Sequence, residues 1–173
     1  MQIETERLLL RVFTSDDLDE LAALYADPVV MRYYPQTYNR EETQQRLEST
    51  INGYSKFGVG LLATIMRSTG EFIGRCGITY QNIEGTPLPE IGYMLHAHQW
   101  GKGYATEAAT TLRNHGFTEL GLDEIYSLIR PVNTPSQAVA LRNGMTIRRN
   151  VQHANLDHHL FSIKRSEWLS LRV

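Results

Sequence analysis

The residues best suited to chemistry lie in the run HQWGKGYATEA, from His98 to Ala108. Gly101 and Gly103 flank Lys102, and a stretch with helical spacing follows. The first turn of a helix leaves backbone N–H groups without carbonyl partners and carries partial positive charge. If the preceding chain turns on glycines, whose missing Cβ allows close backbone approach, those N–H groups converge on an anion. Lys102 adds charge nearby. The segment is therefore chemically suited to a phosphate or pyrophosphate. The other reading is a plain strand-to-helix bend, and a lone Gly-x-Gly favours that bend. Two nucleotide motifs fit poorly. The dinucleotide fingerprint needs a small residue at position 106, where Thr106 stands, and belongs after the first strand of a βαβ unit. The P-loop needs Gly-Lys-Ser/Thr, whereas Gly103 is followed by Tyr104 and Ala105.

The elements around this turn can be read from periodicity. ERLLLRVF is a first strand, and SDDLDELAALYADP a helix with Ser15 as cap. Pro28 ends that helix or starts a new short one. NREETQQRLESTINGYSK is a second long helix, capped by Asn39 and with Gly53 near its end. VGLLATIM and EFIGRCGITYQN are strands joined through RSTG, which supplies a hairpin glycine. LPEIGYMLH is a third strand, and YATEAATTLRNHGFTEL the helix after the glycine turn. DEIYSLIR is a strand and TPSQAVALRNG a helix with Gly144 at its C-terminal stop. MTIRRNVQ and LDHHLFSIKRSEW close the chain as strands. Consecutive strands in the middle predict antiparallel pairing, and the β-α-β step after them predicts a crossover with parallel pairing. The fold class is mixed α/β around one central sheet. At 173 residues the expectation is one domain, residues 1–173.

Set in this order, the motifs resemble the RimJ/RimL-like branch of the Gcn5-related N-acetyltransferases (GNAT). WGKGYA resembles that family's acyl-CoA pyrophosphate loop, [QR]-x-x-G-x-[GA]. Gly103 and Ala105 take the small positions, and Trp100 stands where Gln or Arg is usual, as in this branch. ETERLLLRVFTSDDLDELAALYADPVV resembles the branch's N-terminus. EFIGRCGI resembles its hairpin, PEIGYML its fourth strand and NTPSQAVALRNGM its second CoA motif. The resemblance implies a single, mostly antiparallel sheet splayed between its fourth and fifth strands and flanked by helices. It implies acetyl-CoA as cosubstrate, without a metal, and an amine acceptor that is a small molecule, an amino acid or a protein N-terminus. A homodimer is compatible with it.

Residue by residue, Tyr93, Met94 and Leu95 match the backbone positions that hold the pantetheine arm like an added strand. Gly101, Lys102, Gly103, Tyr104, Ala105 and Thr106 match the pyrophosphate loop. Asn133 matches the asparagine on the cofactor arm; it is equally a helix N-cap before Thr134 and Pro135. Arg142 is placed to approach the adenosine phosphate, or is a solvated charge. The chemistry implied is acyl transfer from a thioester to an amine, with backbone N–H groups at the oxyanion. A glutamate found on the fifth strand of some members is replaced by Leu128, and a tyrosine found in many by Ala140. Glu90 remains as candidate base, one residue off the family spacing. That offset reverses its face in a regular strand unless a bulge intervenes; otherwise it is a polar strand end. Ser136 is the candidate partner of the thiol sulfur, or a serine satisfied in its own first turn. Tyr33, Tyr34 and Tyr38 lie in MRYYPQTY, where this family builds the acceptor pocket; packing under a loop is the alternative. A CoA-binding module without catalysis is the second functional reading.

Composition narrows the field. The chain is 42% hydrophobic and 21% charged with a net charge of −2, which argues against a protein built to grip nucleic acid. No apolar run is long enough to cross a bilayer. The start MQIETERLLL does not look like a signal peptide, so a cytoplasmic location is expected. The single Cys76 rules out an internal disulfide and sits in a strand-like apolar run, as a buried inert thiol would. His96 and His98 lie beside the loop, and His153, His158 and His159 near the last strands. Adjacent His158 and His159 point to opposite strand faces and cannot form a simple chelating pair. Glu107 is expected to hold backbone or a polar neighbour rather than to catalyse.

Overall fold

The computed structural model describes residues 2–171, so Met1 and residues 172–173 of the expected domain lie outside the described residues. The strands are β1 (Gln2–Glu4), β2 (Leu8–Arg11), β3 (Leu61–Met66), β4 (Phe72–Ile83), β5 (Thr86–Leu95), β6 (Glu124–Ile129), β7 (Thr146–His153) and β8 (Leu156–Lys164). The helices are α1 (Leu18–Ala26), α2 (Pro28–Met31), α3 (Arg40–Phe57), α4 (Tyr104–Thr118), α5 (Thr134–Arg142) and α6 (Arg165–Ser170). The strands form one eight-stranded sheet in the order β1-β2-β3-β4-β5-β6-β8-β7. β5 and β6 are parallel, with Glu90 opposite Tyr126. The long connection through α4 is what parallel neighbours require.

By contacts the chain divides into two units. The first runs up to Gly77 and includes Tyr93–Ala108. Its core is built by α1, α2 and α3 against β2, β3 and the start of β4: Phe13, Leu21, Leu24, Tyr25, Leu47, Ile65 and Phe72 are all buried there. The Tyr54 hydroxyl ties α3 to this sheet, accepting from Phe13 N–H at 3.0 Å and donating to the Leu61 carbonyl. The second unit comprises Ile78–Gly92 and the chain from Ala109 onward. On one sheet face Ile83, Val151 and Leu160 pack with Leu88, Tyr126 and Leu128. On α4 and α6, Phe117 and Trp168 stack with centroids 5.0 Å apart. Gly116 makes room here, since a Cβ on it would stand 2.6 Å from Ile125.

Several local expectations change. A short strand, Gln2–Glu4, precedes the expected first one, which narrows to Leu8–Arg11; Thr5 turns the chain between them, its N–H donating to the Leu8 carbonyl and its hydroxyl to Glu107. The cap of the first helical segment is Thr14, not Ser15. Thr14 N–H donates to the Asp17 carboxylate at 2.8 Å, and a 3₁₀ turn over Ser15–Asp17 precedes α1. Pro28 starts a new helix, with Asp27 accepting from Val29 N–H. Asn39 caps α3 as expected, within a capping box with Glu42. Gly53 lies inside α3, and Gly58 in the left-handed region stops it. The final strand ends at Lys164, and Arg165–Ser170 is helical. Gly144 follows α5 with φ of +78°, the left-handed stop read from the sequence.

Candidate active site

The glycine turn sits at the exit of β5. His96 N–H donates to the Ile73 carbonyl at 3.0 Å, and a 3₁₀ turn covers Ala97–Gln99. Trp100 then folds back, its indole N–H donating to the Leu95 carbonyl at 2.8 Å. Gly101 and Gly103 take φ of +75° and +85°, where a Cβ would be strained. The first ladder bond of α4 runs from Glu107 N–H to the Gly103 carbonyl at 3.0 Å. The amides of Tyr104, Ala105 and Thr106 thus open the helix, where they have no helical acceptor.

Two side-chain systems hold this turn. Arg7 donates from Nη1 to the Lys102 carbonyl at 3.0 Å, pairs with Glu107 at 2.6 Å and lies 4.5 Å over the Tyr104 ring. A Cβ on Gly103 would come within 3.3 Å of this guanidinium. Glu107, the acid of the first helical turn, accepts from Thr5, Arg7 N–H and Arg7 Nε, as the sequence implied for a holding residue. Burial would raise its carboxyl, but these bonds outweigh burial and hold it below the usual range. On the other side Lys102 Nζ donates to Gln99 Oε1 at 3.0 Å, and Gln99 Nε2 donates to Glu71 at 2.9 Å. Glu71 thereby fixes which end of the buried Gln99 amide faces the lysine. An anion suits this arrangement: left-handed glycines, open helical amides, an oriented ammonium, and a first-turn acid already neutralised by Arg7.

The neighbouring positions in this unit follow. Met94 and Leu95 are buried, and Tyr93 is half-buried. Gly74 permits close approach of β4 to this strand, because a Cβ there would stand 2.2 Å from the Met94 carbonyl. Tyr33 is half-buried and Tyr34 exposed, both in the turn after α2. Arg32, which sequence reasoning passed over, stacks 4.8 Å from the Tyr33 ring and 5.0 Å from Trp100. Tyr38 instead packs edge-on against Tyr25 at 5.7 Å, beneath Arg46.

In the second unit the β5–β6 ladder is taken over by side chains. Next to the Glu90–Tyr126 pair, the Ser127 hydroxyl donates to the Ile91 carbonyl at 2.8 Å. Leu128 N–H donates to the Glu90 carboxylate at 3.1 Å. Backbone groups that a continuing ladder would satisfy are met by a hydroxyl and a carboxylate, which is how two strands part without orphaned amides. Glu90 is therefore more than a polar strand end. Tyr126, opposite it, has its phenol pushed up to about 12 by burial and by Glu124. Asn133 caps α5, accepting from Ser136 N–H at 3.2 Å. Ser136 is half-buried and Arg142 exposed, while Ala140 is buried in the helix face.

Cys76 is fully buried, receives the Thr64 hydroxyl at 3.2 Å and is pushed by burial up to about 12, so it stays a thiol at neutral pH. His158 and His159 use separate partners, the Leu156 carbonyl and Asn150. Among the described residues no three His, Cys, Asp or Glu side chains are grouped to hold a metal, and no helix is long and apolar enough to cross a membrane.

Known proteins share this pattern. A family model of the acetyltransferase (GNAT) domain matches residues 7–146. The uncharacterised protein YkkB of Bacillus subtilis (strain 168) is 35% identical over 155 residues, 89% of this chain and 90% of that one. The uncharacterised N-acetyltransferase p20 of Bacillus licheniformis is 34% identical, over 95% of this chain and 96% of its own. The crystal structure of a GNAT-family acetyltransferase from Bacillus anthracis superposes with a TM-score of 0.83 at 26% identity, covering 96% and 99% of the two chains. The chain belongs to the GNAT family of N-acetyltransferases.

Proposed function

We propose that this protein is a RimJ/RimL-like N-acetyltransferase that moves the acetyl group of acetyl-CoA directly to a primary amine in a ternary complex. The carrying observation is the pair of left-handed glycines at the start of α4, with φ of +75° and +85°, held by Arg7 and Trp100. The loop Gly101–Thr106 binds the pyrophosphate through its amides, and Lys102 adds charge. The backbone of Tyr93, Met94 and Leu95 receives the pantetheine, and Asn133 and Arg142 serve the cofactor arm. Tyr33 and Tyr34 line the acceptor side. The acceptor is a protein N-terminus, an amino acid or a small amine, and the whole of residues 1–173 acts as one acetyltransferase domain in the cytoplasm.

The reaction follows from these roles. The amine nitrogen attacks the thioester carbonyl, its proton passes to Glu90, and a backbone N–H of β5 receives the oxyanion. As the C–N bond forms and the C–S bond breaks, the Ser136 hydroxyl donates a hydrogen bond to the leaving thiolate, which takes its proton from solvent while Glu90 returns the amine proton to solvent. Glu90 is oriented for this by the Leu128 amide, which holds one carboxylate oxygen.

Calorimetric titration with acetyl-CoA, with ATP and NAD as controls, tests the reading. Selective acetyl-CoA binding is expected; its absence in folded protein free of co-purified CoA would overturn it. A non-catalytic CoA module draws on Leu128 and Ala140, which stand where some family members carry the base and many carry the acid. CoA thiol release on addition of amines excludes that module.

A further inference from the structure

The far end of the β6–β8–β7 sheet gathers three basic groups that the transfer chemistry above leaves unused. Leu128 pairs with Leu160 across β6 and β8, so both side chains share a face. Two residues from Leu160 along β8, His158 lies on that same face, and Arg130, the first residue past the end of β6, is near enough to act on its charge. His158 in turn pairs with Val151 on β7, and His153 stands two residues beyond it. The rings of His158 and His153 meet edge to face, with centroids 5.8 Å apart. Beneath them lies the apolar floor of Val151, Leu160 and Leu128.

The electrostatics of this corner are unbalanced. Arg130 Nε is buried and donates to no group among the described residues. A buried donor left without an acceptor costs free energy, more so when it carries charge. Burial first, then the positive fields of His153 and Arg130, hold His158 below the ordinary imidazole range, against the Leu156 carbonyl and Asp157. Asp157 lies one residue along β8 from His158, on the opposite face, and is engaged by Gln152. A buried guanidinium N–H without an acceptor, beside two imidazoles over an apolar floor, calls for an anion from outside. Arg130 follows directly on the end of β6, two positions after Leu128, whose amide donates to Glu90.

We infer that Arg130, flanked by His158 and His153, is a subsite for an oxyanion carried by the acceptor, so that the preferred substrate is an amine bearing a carboxylate. The guanidinium fork matches a carboxylate in shape, and a single fixed positive charge matches its single negative charge. Leu128, part-exposed above the buried Val151 and Leu160, is the apolar neighbour such a molecule would meet. This inference rests on the acetyltransferase reading for its link to turnover, but not for the binding of an anion.

The test uses both. Histidine ring resonances of the full chain are followed by NMR during titration with sodium acetate, then with inorganic phosphate, at constant ionic strength held with chloride. Saturating shifts of His158 and His153 with acetate, weakened at least tenfold in Arg130→Ala, are expected. Arg130→Lys, which keeps the charge but loses the Nε donor and the fork, covers the case in which the alanine variant does not fold, and should weaken binding as well. No shift beyond the chloride control, or an unchanged titration in the variants, overturns the subsite. Saturation by phosphate alone overturns the carboxylate assignment. In the kinetic arm, free amino acids are compared with their amides. A kcat/KM at least tenfold higher for the free acids, lost in Arg130→Ala with the KM for acetyl-CoA unchanged, is expected; equal rates overturn the substrate class. If acetyl-CoA fails to bind while the acetate titration stands, the acetyltransferase reading has failed and the anion site has not.

Discussion

At the scale of single residues, the decisive group is Glu90. A carboxylate one position off the family spacing should face the wrong way in a regular strand. The structure turns that offset to use, because Glu90 reaches sideways to the Leu128 amide where the β5–β6 ladder ends. The same bond makes it a fixed acceptor. Glu90→Gln keeps the size and an oxygen for the Leu128 amide but removes the basic site. Turnover should therefore fall on the order of 100-fold, with acetyl-CoA affinity within a factor of about two of wild type by calorimetry. Unchanged turnover across the pH range would remove Glu90 from proton transfer and leave it a strand-parting residue. This residue shows the limit of sequence reading plainly. Glu90 was visible as a candidate, but its partner is 38 positions away, and no local pattern names Leu128 as a donor. Ser127 went unseen for the same reason: a serine in an apolar strand reads as a weak alternation, not as a donor to Ile91.

At the scale of elements, local rules served where local physics decides. The glycine turn was legible as a strand-to-helix junction needing residues without Cβ; that Gly101 and Gly103 make it in the left-handed region is what the structure adds. The Gly144 stop after α5 and the Asn39 cap were likewise legible from local residue type. β1 was not, since the turn that sets it off depends on Thr5 bonding to Glu107 across 102 positions. Nor was α6, because six residues are too few to display a helical period after the strand that ends at Lys164. Trp100 is the instructive case. Sequence comparison marks it as a departure from Gln or Arg, and the structure gives it work: its N–H clips the turn to the end of β5 while Arg32 stacks on its ring. Trp100→Phe keeps an aromatic face for Arg32 and deletes the clip. Loss of one such bond should lower the unfolding free energy by about 1 kcal/mol. Because the bond shapes the turn, acetyl-CoA affinity should fall several-fold in the same variant. Urea unfolding and calorimetry read the two effects separately. A stability loss with undiminished affinity would make Trp100 a packing residue alone.

At the scale of the whole molecule, the response to acid is set by carboxylates held low in the folded chain. Asp17 is the most buried of them, 6% exposed, with Arg11 forking onto both oxygens at 2.6 and 2.8 Å and Thr14 N–H adding a third bond. Burial alone would raise its carboxyl; the Arg11 and Thr14 bonds outweigh burial, so the folded value lies below the ordinary one. Glu107 is shifted in the same direction by Thr5 and Arg7. The sign follows from linkage. A group whose pKa is depressed by folding contributes its full stability above its unfolded value, about 3.9 for Asp, and loses it as pH falls through the folded value. The urea midpoint should therefore decline mildly as pH falls below about 6.5, where the unfolded chain protonates His96 and His158 before the folded one does, and steeply below about pH 4. Asp17→Asn tests the assignment in two ways. It leaves Arg11 half-buried without its counter-charge, and breaking such a pair costs about 3–5 kcal/mol. It also removes the Asp17 share of the acid slope, so the variant's stability should fall less between about pH 5 and pH 2 than that of wild type. An undiminished slope would transfer the acid response to Glu107 and its neighbours. That would make the clamp on the glycine turn, rather than the Arg11–Asp17 pair, the first part of the molecule to yield as pH falls, and acetyl-CoA binding would then be lost before the fold is.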